Sequence, residues 1–321
     1  MTTPDVRAVL VTCTGSVSGT AARVAGSVED RLRDSVTRLD QVVPESAEHL
    51  TATVRDAAYS GADLLVVLGG DGAAHVAVQA CAGSETALAV LPGGTGNDLA
   101  RALGMPGEPV AGAEVVAALV REGARGRMDL GRLSDGRSFA TVLCAGFDSA
   151  VNERVNRMRW PHGPRRYDLA IVAELATLRT HPMVVTTEDQ RIELDATLVA
   201  IGNTSWYGGG VPICPGADSG DGLFDLTIVG RTRRADLLRI LPKLRSGTHI
   251  DHPAVTTMRA REVSLAGGAD VIGYADGERM RSLPIEVCCE AGALTVVGWP
   301  RSATAASADG RCGMSPGHDI R

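Results

Sequence analysis

A chain of 321 residues with net charge −6 and 22% charged residues has room for two hydrophobic cores and lacks the basic surplus of a general nucleic-acid binder, so no nucleic-acid partner is expected. Aromatic residues make up 3% of the chain, so the cores must be built from Val, Leu, Ala and Ile. Lys243 is the single lysine, which excludes a Walker-type lysine or a Schiff base at a glycine loop and leaves phosphate to backbone N–H groups, Arg or a metal ion.

In chain order, Val6–Thr12 is a short apolar run that reads as a buried strand. A small-residue turn then leads into a helix capped near Ser18. A second strand is read at Val36–Val43. Pro44 opens an amphipathic helix that runs through Tyr59 and is stopped by Gly61. Asp63–Leu68 is the third strand, followed by GGDG (Gly69–Gly72) and a helix to about Ala82. Thr86–Leu91 is the fourth, followed by PGGTGND (Pro92–Asp98) and a helix to Leu103, and a last helix covers Pro109–Glu122. This alternation predicts a parallel α/β unit over residues 1–126.

Beyond it the pattern changes to closely spaced strands at Met128–Leu133, Ser138–Ala145, Ala196–Gly202, Leu223–Val229, Val255–Leu265, Val271–Tyr274, Pro284–Glu290 and Ala293–Val297. Helices interrupt at Arg166–Leu178 and Thr232–Arg245. Residues 127–299 therefore read as a mostly antiparallel β domain whose last strand can return to the first unit. Residues 300–321, poor in apolar periodicity, read as a disordered tail. The seven cysteines form no CxxC pair and read as buried, reduced thiols. With no signal peptide and no run near the roughly 20 apolar residues of a membrane span, the expected location is cytoplasmic.

Two glycine turns about one βαβ unit apart would lie side by side at the carboxyl edge of a parallel sheet, where α/β folds bind ligands. Glycines let backbone N–H groups approach an anion, and the helix dipole favours negative charge. The spacing fits neither a dinucleotide fingerprint nor a Walker loop. Three further features stand apart. ADSGDGLFDL places Asp218, Asp221 and Asp225 around a glycine turn, either a hard-cation site or a plain turn before a strand. YADGERM offers Asp276 and Glu278, either a solvated hairpin tip or two carboxylates facing one cleft. Arg154–Tyr167 gathers five arginines with Trp160 and Tyr167, either a solvated loop or a segment that rests on anionic lipid headgroups.

GGDG, LPGGTGNDLARALG (Leu91–Gly104), AGFDSAV (Ala145–Val151), DSGDGLFDL (Asp218–Leu226) and DGE (Asp276–Glu278), in this order, resemble the diacylglycerol kinase catalytic-domain family. That family includes bacterial lipid kinases and sphingosine kinases and is related in fold to NAD kinases and phosphofructokinases. The resemblance spans residues 5 to 299 and implies an α/β nucleotide-binding domain followed by an antiparallel β-sandwich domain. It implies ATP over Gly69, Gly70, Asp71 and Gly72 and over Gly93, Gly94, Thr95, Gly96, Asn97 and Asp98, with Ser18 and Gly19 as a first contact. It further implies a Mg²⁺ site using the Asp221 side chain with backbone oxygens of Asp218 and Leu223. Asp276 or Glu278 would be the base that accepts the proton of a lipid hydroxyl.

The family usually carries Thr, Asn and Glu where this chain has Ala73, His75 and Val76. The expected activity is transfer of the γ-phosphoryl group of ATP to diacylglycerol or a related lipid alcohol such as a sphingoid base. The alternatives are a weakly active or regulatory nucleotide-binding homologue, and a small-molecule or NAD kinase. A bilayer substrate fits peripheral contact at the inner membrane face through Arg154–Tyr167. The oligomeric state, a homodimer included, stays open.

Overall fold

A computed structural model describes residues 5–14, 19–147, 151, 154 and 180–298. Four parallel strands form its first half: β1 (Arg7–Thr12), β2 (Arg38–Val42), β3 (Leu64–Gly69) and β4 (Ala87–Pro92), in the order β2-β1-β3-β4. Every residue of β3 and β4 is buried, as expected for central strands covered on both faces. The cover is two helix pairs, α1 (Thr20–Arg33) with α5 (Pro109–Arg121) and α2 (Ala47–Tyr59) with α3 (Asp71–Cys81). Helix α2 begins three residues after Pro44: its N-cap is Ser46, which accepts a hydrogen bond from His49 N–H at 3.1 Å. It ends before Gly61 at φ 73°, the left-handed residue that such helix ends favour. The short α4 (Asp98–Ala102) follows the second glycine turn.

The second half is antiparallel. A six-stranded sheet runs β14 (Val255–Ala260), β13 (Phe224–Val229), β10 (Leu198–Gly202), β7 (Val142–Gly146), β16 (Ile272–Ala275) and β17 (Glu278–Ser282). It faces strands that continue the first sheet: β5 (Gly126–Leu133), β6 (Ser138–Phe139), β8 (His181–Thr187), β9 (Arg191–Ala196), β15 (Glu262–Gly267) and β18 (Ile285–Val296). Between the two lies a core that includes Phe139, Leu143, Ile201, Phe224, Val263 and Ile285, with the Phe139 and Phe224 rings stacked at 5.7 Å. The outer face of the six-stranded sheet packs Val142, Leu198 and Val229 against Leu237 and Ile240 of α6 (Arg234–Leu244).

Four expected strands are cut differently. Val255–Leu265 divides at Arg261, where the chain leaves β13 for β18 and β8, a corner at which a strand switches sheets. Pro284–Glu290 and Ala293–Val297 are one strand, β18, whose pairing with β5 shifts register between Glu290 and Leu294, the mark of a bulge. Ser138–Ala145 breaks at Ala140–Thr141 into β6 and β7. β18 also pairs in parallel with β4, so one sheet runs through both halves. The helix expected at Arg166–Leu178, the basic segment from residue 155 to Tyr167 and the tail at 300–321 lie outside the described residues. Among the described residues no cysteine is in a disulfide, and all are buried save the half-buried Cys13.

Candidate active site

The two glycine turns meet at the carboxyl ends of β3 and β4, and the closeness of their backbones explains their glycines. Gly93 N–H donates to Gly69 O at 2.7 Å. A Cβ on Gly93 would stand 3.0 Å from the Gly69 Cα, and one on Gly94 would stand 2.5 Å from the Gly70 Cα. No side chain fits at these crossings.

The polar side chains of the turns hold the turns themselves. Asp71 accepts from Asn97 N–H at 2.8 Å and from Asp98 N–H at 2.7 Å, capping α4 from the neighbouring turn. Burial, aided by the nearby charge of Asp98, holds the Asp71 carboxyl above the usual carboxylate range despite these donors. Asn97, left-handed at φ 56°, accepts from Gly94 N–H at 2.9 Å and donates its amide to Gly94 O at 2.9 Å. The buried Asp98 accepts from Gly209 and Gly210 N–H at 2.9 and 2.7 Å and from Arg101 at 2.7 Å. Charge-assisted bonds of this kind are the strong ones. They tie the second glycine turn to Gly208–Gly210, three glycines at φ 60°, 87° and 96° between the short β11 (Trp206–Tyr207) and β12 (Val211–Pro212).

Helix α3 is left open. Its N-cap is Gly70, which supplies no side-chain cap, and the N–H groups of Asp71, Gly72 and Ala73 have no acceptor within the helix. This end, with the exposed Thr95 beside it, is where the site can hold an anion. Of the first contact, Gly19 is the left-handed N-cap of α1 with open space around its Cα; Ser18 lies outside the described residues.

The DGE motif forms a two-residue hairpin tip: Ala275 pairs with Glu278, and Asp276 and Gly277 stand at φ 53° and 83°, the left-handed pair that an Asp-Gly turn accommodates. Both carboxylates face the start of α3, at different depths. Asp276 turns inward, its side chain 6% exposed. It accepts from Thr141 N–H at 2.8 Å, Thr141 Oγ1 at 2.7 Å, Ala140 N–H at 3.0 Å and His75 Nδ1 at 3.0 Å. Burial alone would raise its carboxyl, but the His75 and Thr141 bonds outweigh it and hold the group below the usual range. Glu278 is exposed, and a Cβ on Gly72 would lie 3.2 Å from its Oε1. The free carboxylate thus stands at the open end of α3. The break between β6 and β7 has the same origin, since the N–H groups of Ala140 and Thr141 point to Asp276 rather than into a ladder.

The Asp218–Leu223 turn is arranged differently from the expectation. Asp221 accepts from Leu223 N–H at 3.0 Å and pairs with Arg259, which also reaches Asp225 at 3.2 Å. A guanidinium holding both carboxylates is a poor neighbour for a dication. Among the described residues no group of three or more His, Cys, Asp or Glu is placed to hold a metal. The residues do not fit a bound Mg²⁺ as arranged, and no chemistry is derived through one. Nearby, the buried Asp129 receives Gly222 and Gly292 N–H, both at 2.7 Å, and burial raises its carboxyl.

Sequence reasoning passed over Gly208–Gly210, Asn203 and the contact of His75 with Asp276. Asn203, fully buried, donates to Asp129 O and Ala140 O, both at 2.8 Å, and so braces the β6–β7 break from behind. Three consecutive glycines after Trp206-Tyr207 were the one local signal available.

Residues 7–133 match the family described as the diacylglycerol kinase catalytic domain, and residues 141–298 match the YegS C-terminal NAD kinase beta sandwich-like domain. A diacylglycerol kinase of Mycobacterium tuberculosis (strain ATCC 25618 / H37Rv) is 40% identical over 286 residues, covering 87% of this chain and 91% of that protein. One from Staphylococcus saprophyticus is 27% identical over 263 residues, covering 79% and 85%. The crystal structure of a diacylglycerol kinase from Bacillus anthracis str. Sterne superposes with a TM-score of 0.72 at 20% identity, covering 93% of this chain and 99% of that one. The fold and the site define a nucleotide-dependent kinase with an α/β half and a β-sandwich half. The chain belongs to the diacylglycerol kinase family and is a lipid kinase of that type. Among the described residues no helix is long and apolar enough to cross a membrane.

Proposed function

We propose that the protein transfers the γ-phosphoryl group of ATP to the hydroxyl of diacylglycerol or a related lipid alcohol such as a sphingoid base. The observation that carries this reading is the free Glu278 carboxylate standing against Gly72 at the uncapped start of α3. Phosphate oxygens sit on the N–H groups of Asp71, Gly72 and Ala73, donors that need no reorganisation as charge develops. The acceptor hydroxyl donates a hydrogen bond to Glu278. As its oxygen bonds to the γ-phosphorus and the bond to the β-γ bridging oxygen breaks, the proton passes to Glu278 and ADP leaves. Asp276, with every oxygen engaged, holds the turn that aims Glu278. Mg²⁺ bound to the ATP phosphates would arrive with them and neutralise part of their charge. In this reading residues 1–126 hold the nucleotide and residues 127–299 the acceptor.

The test is incubation with γ-labelled ATP, Mg²⁺ and mixed micelles of diacylglycerol or of a long-chain base. Label in the lipid is expected; ATP binding with no transfer to any alcohol would instead point to a regulatory nucleotide-binding protein. Peripheral contact through Arg154–Tyr167 belongs to the same reading. Sedimentation with anionic vesicles is expected to fall when Arg157, Arg159 and Trp160 are changed to Ala, and equal sedimentation would remove that contact from the account.

A further inference from the structure

His75 is where the chain departs from the family's usual Asn, and its surroundings give the departure a use. Its Nδ1 is 3.0 Å from Asp276 Oδ2, across 201 residues of sequence, and the two side chains are 11% and 6% exposed. Its Nε2 faces the Gln79 amide at 3.5 Å, one turn along α3. Gln79 in turn grips Ser138, donating to Ser138 O at 2.7 Å and accepting from Ser138 N–H at 2.9 Å. One face of α3 is therefore fastened through His75 to the hairpin tip and through Gln79 to β6, while Asp276 fastens that tip to Ala140 and Thr141. The charged groups that act on His75 are the carboxylates of Asp276 and Glu278 and, against them, the Arg137 guanidinium.

We propose that His75 is a positioning residue that holds the Asp276–Glu278 turn against the phosphate-binding end of α3, most tightly as an imidazolium, so that its protonation tunes phosphoryl transfer. The proposal rests on the assignment of Glu278 to the acceptor hydroxyl. An amide at position 75 can supply the hydrogen bond but not the charge. Burial works against the imidazolium, but the Asp276 bond and the two carboxylates prevail and raise His75 above the ordinary imidazole value. Asp276 is lowered. The charged pair is thus complete below the ordinary imidazole range and loses the His75 charge as pH rises through the raised value. It loses the Asp276 charge only in acid, below the usual carboxylate range.

The experiment compares parent and His75→Asn across pH 6 to 9, reading kcat and KM for ATP separately, with His75 titrated by NMR in the parent and in Asp276→Asn. The expected result is a ratio of parent to variant kcat that falls severalfold as pH rises through the raised imidazole value. KM for ATP should be little changed, and the His75 titration should drop in Asp276→Asn. His75→Gln, with a longer amide, is the second variant if His75→Asn does not fold. Superimposable pH profiles in an active enzyme, or a His75 titration indifferent to Asp276→Asn, overturn the proposal alone. A parent enzyme that transfers no phosphoryl group at any pH overturns the functional reading and the proposal with it.

Discussion

Glu278→Gln is expected to slow phosphoryl transfer by about 10²–10⁴-fold, the range that a positioned proton acceptor contributes, while ATP affinity stays close to that of the parent. The split follows from geometry. Glu278 is exposed, so its loss removes an acceptor for the hydroxyl proton and leaves the N–H groups of α3 in place. Asp276→Asn should behave differently. The amide would present N–H hydrogens to a position ringed by the N–H groups of Ala140 and Thr141 and by His75. Bonds to a charged group are worth about 1.5–3 kcal/mol each, so Asp276→Asn should lose stability as well as rate. Single-turnover rates, ATP titration calorimetry and urea unfolding on the two variants separate the cases. A Glu278→Gln enzyme that keeps parental kcat, or an Asp276→Asn protein as stable as its parent, would reverse the division of roles.

Gly94→Ala is expected to damage the nucleotide site more than any exposed substitution, although Gly94 has an ordinary backbone conformation. The reason is steric: the added methyl would lie 2.5 Å from the Gly70 Cα, a backbone atom that cannot swing away. The two turns must separate, which breaks the Gly93–Gly69 hydrogen bond and the Asn97 and Asp71 bonds that depend on the same spacing. Overpacking of this kind costs about 1–3 kcal/mol, and the lost alignment of the α3 end should weaken ATP binding by tenfold or more, about 1.4 kcal/mol. Gly107→Ala, with open space around its Cα, is the control. ATP affinity in Gly94→Ala equal to that of the control would show that the turns do not need to touch.

Much of this fold was legible because its first half is repetitive. Apolar runs such as LLVVL in β3 and ALAVL in β4 are buried on both faces, and such strands announce themselves by composition alone. The missed strands are those half in water. β9, RIELDA, alternates exposed and half-buried positions at the edge of its sheet, and two apolar residues among charges do not distinguish a strand from a loop. β14 and β15 read as one because the chain stays extended while it changes partners, and partner choice leaves no local mark. The site divides in the same way. The glycine turns and the DGE tip are local chemistry and could be read. The His75–Asp276 contact spans 201 residues and the Asp98–Gly209 contact 111, and only the topology brings them together. Sequence reasoning also gave the glycines a direct ligand role; at Gly93 and Gly94 the demand comes from the neighbouring turn.

The last strand carries a consequence for how the protein is made. β18 supplies a parallel neighbour to β4 and antiparallel neighbours to β5 and β15, yet it leaves the ribosome after all three of them. Until it arrives, β4 is an open edge of apolar residues with both glycine turns attached, and β5 has only the short β6 beside it. The nascent chain must therefore hold a hydrophobic, unpaired border until β18 emerges, the kind of border that invites association with other chains. Closure is a long-range event that couples β4 to a strand far along the chain. The two glycine turns, which lie before residue 100, gain their full sheet only when β18 has been made.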